Sequence, residues 1–197
     1  MKKGTLRIVV ILILTIVSVN IIKAQTTRSE MVRLRAAQKA GQFTDHISYI
    51  ADKRNSNDLR KRHIQNALSL FVRFNEGNGK YRYPNMQVTS TQNKRPRNIE
   101  MSRYLNNLYN LNYSNVIIES TEWSEIEVSD LQHLYDNVYT CTASFDQAFC
   151  GYREGKAVYK DITSKTVTIY IFEERTPNGY EYIVYLGDVE ATHTEKL

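Results

Sequence analysis

Apolar side chains recur at three- and four-residue steps through residues 29–53: Met31, Leu34, Ala37, Ala40, Phe43 or Thr44, Ile47 and Ile50. That spacing predicts one helix with an apolar side. Arg33, Arg35, Lys39, Asp45, Asp52 and Lys53 fall on the other side, and Ser29 is placed to cap the start. Gly41 weakens the middle and marks a candidate start for the ordered part. Asn55-Ser56-Asn57-Asp58 reads as a turn carrying the cap of the next helix. That helix is predicted over about 58–73, with Leu59, Ile64, Ala67, Leu68, Phe71 and Val72 as its stripe, and Asn75 to Gly79 ends it. Met86 to Ser90 alternates like a short strand between two basic loops, Lys80 to Pro84 and Lys94 to Arg97. Asn98 can cap a third helix with Met101, Tyr104, Leu105 and Leu108 on one face, through about Asn110.

From Tyr113 the period changes to two. Val116, Ile118 and Ser120 alternate with Ile117 and Glu119, in a strand that can run through Trp123 to Glu127. Residues 129–136 hold a turn. Val138 to Phe149 is extended, with Tyr139, Cys141, Ala143 and Phe145 on one face. Ala157–Ile162 and Lys165–Glu173 read as separate strands, the second with Val167, Ile169 and Ile171 together. Thr176-Pro177-Asn178-Gly179 is a hairpin turn, Tyr180 to Val189 its returning strand, and Ala191–Leu197 a frayed tail. Helices grouped before an antiparallel sheet predict an α+β domain in α-α-β-α-β-β-β-β order.

The first residues change how the charge is read. Lys2, Lys3 and Arg7 precede an apolar run from Ile8 to Ile22, and Ile22-Lys23-Ala24 offers a cleavage site before Gln25. This is the pattern of a secretory signal peptide over 1–24, with 25–197 as one exported domain, periplasmic or secreted. The run is shorter than the roughly 20 residues of a spanning helix, so no stable membrane anchor is expected after cleavage. Of 26 basic and 21 acidic residues, the segment removes four basic ones. The calculated pI of about 9.1 therefore mostly reports the export signal, and no nucleic-acid partner is expected. Residues 25–98 carry 15 basic and 5 acidic residues, and 99–197 carry 7 and 16. A basic helical half packed beside an acidic sheet half accounts for that split.

Motifs for catalysis are scarce. His46, His63, His133 and His193 show no metal-ligand spacing, and there is no nucleophile elbow and no phosphate-cradling glycine loop, so neither metal nor cofactor is expected. Outside the cytoplasm Cys141 and Cys150 are a candidate disulfide. On one unbroken strand they would stand about 30 Å apart, whereas a disulfide needs Cα atoms within about 7 Å. Six tyrosines in the last strands (Tyr152, Tyr159, Tyr170, Tyr180, Tyr182 and Tyr185) suggest cross-strand ladders on an outer face.

The element order, the helix ending at Asn110 that feeds the Tyr113 strand, and the final hairpin closing in Leu186-Gly187-Asp188-Val189 together resemble the nuclear-transport-factor-2-like superfamily. That group is also called ketosteroid-isomerase-like, and a cystatin-like helix-on-sheet domain is the nearest alternative. The resemblance covers about residues 30–190 and implies a strongly curved sheet wrapped around the helices as a cone. It also implies a pocket between helices and sheet, where related enzymes keep an acidic base and hydrogen-bond donors. Asp45, Tyr49, Tyr104, Trp123 and Tyr139 are the candidates for that pocket. None matches a catalytic motif of the group. The expected function is thus an exported, non-catalytic binding or scaffold domain of the bacterial cell envelope, with an unknown protein or small ligand as partner, or a second copy in a homodimer. The alternative is a small-pocket isomerase or hydrolase-like enzyme using Asp45 and a tyrosine. A pocket with converging buried carboxylate, Tyr and His side chains would count against the non-catalytic reading.

Overall fold

Three-residue steps on a helix fall back by about 60° each, whereas steps of four and three together follow the 3.6-residue turn. In the computed structural model, which describes residues 28–91, 95–177 and 179–197, this decides which face of the first helix is buried. Helix α1 (28–51) buries Val32, Ala36, Ala40, Phe43, Ile47 and Ile50. Met31 and Leu34, three-step neighbours of that set, have rotated out to solvent. The predicted signal segment, 1–24, lies outside the described residues. Gly41 does not interrupt α1. A Cβ there would stand 2.4 Å from Trp123 Cβ, so the glycine lets residue 123 press against the helix.

Helix α2 (Asn57–Ser69) starts where the turn places it, with the Ser56 side chain accepting from Leu59 N. Past it, the predicted Gly77–Gly79 stop is the turn of a hairpin between β1 (Phe74–Gly77) and β2 (Lys80–Arg82). Gly77, Asn78 and Gly79 all have positive φ, at 88°, 53° and 73°, a run that favours glycine. Strands β3 (Asn85–Val88) and β4 (Arg97–Glu100) follow, and helix α3 (Met101–Tyr109) begins three residues after Asn98. A buried arginine ties the helices together. Arg60 donates from Nε to Ile50 O at 2.8 Å and from Nη2 to Tyr109 O at 2.7 Å. Both are carbonyls near helix C-termini, where intrahelical partners run out.

The sheet half holds β5 (Asn115–Ser120), a 3₁₀ turn at Trp123–Glu125, β6 (Glu127–Val128), β7 (Gln132–Tyr135), β8 (Val138–Arg153), β9 (Lys156–Thr176) and β10 (Gly179–Lys196). The large sheet runs β4-β3-β10-β9-β8-β5, with β6 and β7 pairing further along β8 beside β5. All pairings are antiparallel except β3 with β10, which makes the sheet mixed rather than antiparallel throughout. The α+β class holds, with more strands than the sequence order predicts. Trp123 sits in a 3₁₀ turn rather than a strand, and the predicted turn at 129–136 contains β7.

Two corrections concern the last strands. The segments 157–162 and 165–173 are one 21-residue strand. Residues 191–196 are not frayed: β10 pairs with β9 as far as Lys196 opposite Asp161. Shifts of register between Leu186 and Val189, and between Ala191 and His193, are bulges of the kind that bend and twist a strand. The inner faces of β8, β9 and β10 meet the helices in one core that includes Ala143, Val167, Ile169, Ile171, Leu186 and Val189. Ion pairs Arg28–Glu173 and Arg33–Asp130 cross from α1 to the acidic half.

Candidate functional site

Strand β9 changes character halfway along one face. Ile171, Ile169 and Val167 are apolar and fully buried, and the same alternation continues into Lys165, Thr163 and Asp161, which are buried too. Burying polar groups is costly unless partners or a ligand compensate, so this switch marks where the core gives way to a site. Strand β8 supplies the opposite positions, Phe145 across from Lys165, Gln147 from Thr163 and Phe149 from Asp161. Above them lie Tyr104 and Leu108 of α3, the α3–β5 link at Leu111 and Tyr113, and Val88 and Ile99 of β3 and β4. Together they enclose a cavity of about 430 Å³. That is within the range of pockets that hold small organic ligands, roughly 300–1,000 Å³.

Lys165 is 7% exposed. Its Nζ lies 3.7 Å from Met86 Sδ and 5.9 Å from the centre of the Tyr104 ring. Among the described residues no carboxylate lies within ion-pair distance of it. Burial pushes its ammonium down to about 8, the Asp161 charge opposing. Such an amine exchanges protons near neutral pH and is a candidate base, anion anchor or nucleophile.

Asp161 is the matching carboxyl. Burial raises it above the ordinary carboxylate value, while the Tyr159 bond and the Lys165 charge work the other way. Tyr159 donates its hydroxyl to Asp161 Oδ2 at 2.5 Å and accepts from Thr91 N at 3.2 Å. The tyrosine belongs to an aromatic wall, with Phe149 edge-on to Tyr159 at 5.9 Å and to Tyr113 at 5.9 Å. Gly151 lets that wall close up, since a Cβ there would stand 2.6 Å from Tyr113 Cε1. Hydroxyls extend the polar floor: Thr163 Oγ1 meets Thr194 Oγ1 at 3.1 Å, and Thr194 meets Thr89 at 2.5 Å. Thr194 belongs to the segment expected to fray.

Of the five residues proposed from sequence, only Tyr104 lines this cavity. It is half-buried, and burial pushes its phenol upward. Asp45 is exposed on α1. Tyr49 is 47% exposed and stacks on His63, with ring centres 4.4 Å apart. Trp123 is 43% exposed over Gly41. Tyr139 packs at the far end of β8, edge-on to His133. The pairing of Asp45 with a cavity tyrosine is therefore not formed. Tyr159, expected on an outer ladder, faces the cavity instead, and Arg97 of the second basic loop reaches its lining.

Cys141 and Cys150 are free and nine residues apart on the unbroken β8, which places a bridge between them out of reach. His46 and His63 meet across α1 and α2 with their Nδ1 atoms 3.0 Å apart. Among the described residues no three His, Cys, Asp or Glu side chains gather as metal ligands, and no helix is long and apolar enough to cross a membrane.

No family model matches the chain, and no curated protein matches it. Among solved structures it is similar to a protein provisionally described as a scytalone dehydratase from Novosphingobium aromaticivorans. That match has 8% identity and a TM-score of 0.43, over 88% of this chain and 91% of the other. It is also similar to a Kribbella flavida protein at 16% identity and a TM-score of 0.35, over 87% of this chain and 95% of the other.

Proposed function

We propose that the chain is an exported domain of the nuclear-transport-factor-2-like type, with 1–24 as its export signal, that binds a small amphiphilic molecule between α3 and the β8–β9 face. The observation that carries this is Lys165: a cation 7% exposed, without an ion-pair partner among the described residues, in the wall of a cavity of about 430 Å³. Leaving a buried charge unpaired is costly, and a ligand acid or carbonyl group would compensate it. Leu108, Leu111, Ile118 and Phe149 offer the apolar remainder of the ligand a dry wall. Asp161 adds a carboxyl to the same cavity, held there by the Tyr159 hydroxyl that donates to it.

A second reading rests on the same side chains. A raised carboxyl and a lowered amine lining one cavity are the pattern of an acid–base pair. In that case Asp161 and Lys165 do the proton transfer, and Asp45 takes no part.

Titration with 1-anilinonaphthalene-8-sulfonate, an aromatic anion whose fluorescence rises in apolar surroundings, tests the binding reading. The chain from Gln25 is expected to take up one equivalent. Lys165→Met should weaken binding about tenfold, the equivalent of about 1.4 kcal/mol. Asn107→Trp, which fills an exposed position of the cavity lining, should abolish it. Equal binding by all three chains would refute the site.

A further inference from the structure

We propose that Lys165 is a covalent anchor, its Nζ condensing with the carbonyl carbon of an aldehyde or ketone ligand to form an imine inside the cavity. The inference rests on the binding reading above and turns a contact into a bond.

Three features of the site point to it. First, an amine attacks a carbonyl only when it is neutral, and a carboxylate at ion-pair distance would hold it as ammonium. The neighbours of Lys165 are instead the Met86 sulfur and the Tyr104 ring. Desolvation then favours the neutral form. Second, Lys165 is the lysine of the cavity wall, where a carbonyl carried on an apolar body is held close to it. Exposed lysines such as Lys61 and Lys156 have no such enclosure. Third, the dehydration step needs a proton donor. Asp161, buried on the same strand face and linked by charge to Lys165, can take the proton that the Lys165 ammonium gives up and hand it on.

The step balances without a further reagent. The nitrogen lone pair forms the C–N bond while the C=O π pair moves to oxygen. One proton passes from nitrogen to that oxygen, giving a carbinolamine. Asp161, directly or through a cavity water, protonates the hydroxyl. The C–O bond breaks, water leaves, and the nitrogen returns its second proton to the carboxylate. Amine and carbonyl have become imine and water, with no change of oxidation state.

The test uses benzaldehyde with sodium cyanoborohydride at pH 7.5, which fixes any imine as a benzylamine, followed by peptide mapping. Mapping separates lysine adducts from the chain's α-amino group. The expected result is one benzyl group on Lys165, formed about tenfold faster than on any exposed lysine. At pH 7.5 an amine that titrates at about 8 instead of 10.5 has a roughly 200-fold larger neutral fraction, and its lower intrinsic nucleophilicity offsets part of that. Asn107→Trp keeps Lys165 but narrows access, and should slow the labelling. Labelling of Lys165 no faster than of Lys61 and Lys156, in a chain shown to be folded by circular dichroism, would overturn the proposal. If the anilinonaphthalene sulfonate still bound, the cavity would stand as a non-covalent site. If neither reagent engaged it, the binding reading would fall as well.

Discussion

Tyr159 donates its hydroxyl to Asp161 Oδ2 at 2.5 Å from two positions earlier on the same face of β9. The bond favours the ionised carboxyl, against a burial cost that favours the neutral one, and burial is the larger effect. Removing the hydroxyl with Tyr159→Phe takes away the opposing contribution. The Asp161 carboxyl should then titrate at still higher pH, read from its ¹³C carboxyl resonance. An unchanged midpoint would mean that the hydroxyl serves the Thr91 loop and not the carboxyl.

Lys165 sets stability against function. Its folded value of about 8 lies below the unfolded value near 10.5, so the unfolded chain holds more protons between those two pH values. The lysine's contribution to stability is therefore least below about pH 8 and recovers as pH rises toward 10.5. Lys165→Met should stabilise the chain at pH 7 by about 2–3 kcal/mol and remove that slope, in urea unfolding across pH 7 to 10. The same variant should lose ligand affinity. A variant both less stable and weaker in binding would indicate a structural lysine instead.

The histidine contact between α1 and α2 predicts acid sensitivity. With Nδ1 atoms 3.0 Å apart, one ring donates and the other accepts, and two protonated rings would repel. Burial lowers both from 6.5, with the His63 charge adding at His46 and the Arg62 charge at His63. Groups that titrate lower when folded contribute stability that is complete above the unfolded value and lost as pH falls below it. Unfolding free energy should therefore drop as pH falls below 6.5, and hydrogen exchange should quicken first where α1 meets α2. His63→Gln should flatten that drop. A profile identical to that of the unsubstituted chain would assign the acid effect elsewhere.

The helical half and the long hairpin were legible because their signals are local. Ser56 caps α2 where the Asn-Ser-Asn-Asp turn indicated, and the Val167, Ile169 and Ile171 alternation marks a buried face. The site was not legible because it breaks the rule that makes strands readable. Asp161, Thr163 and Lys165 keep the period of two but are polar, so the inward face reads as the end of a strand. The available signal was the unbroken alternation from 161 to 171 itself. Gly41 was misleading in the same way. Read as a weak point in a helix, it is the seat of Trp123, a contact 82 positions away in sequence that no local pattern encodes. Met31 and Leu34 were placed inside by counting apolar residues, where the drift of three-residue steps turns them out.

A small anionic or carbonyl ligand held against Lys165 beneath α3 would perturb the residues around it and few others. Amide and methyl chemical-shift mapping of the labelled chain from Gln25, titrated with 1-naphthoate, tests it most directly. Shifts are expected to be confined to Tyr104, Leu108, Thr163, Lys165 and their neighbours, to saturate at one equivalent, and to need about tenfold more ligand in Lys165→Met. Shifts scattered over the surface, or gathered in the polar groove between α1 and β10 around Arg35, Lys39 and Glu181, would contradict it.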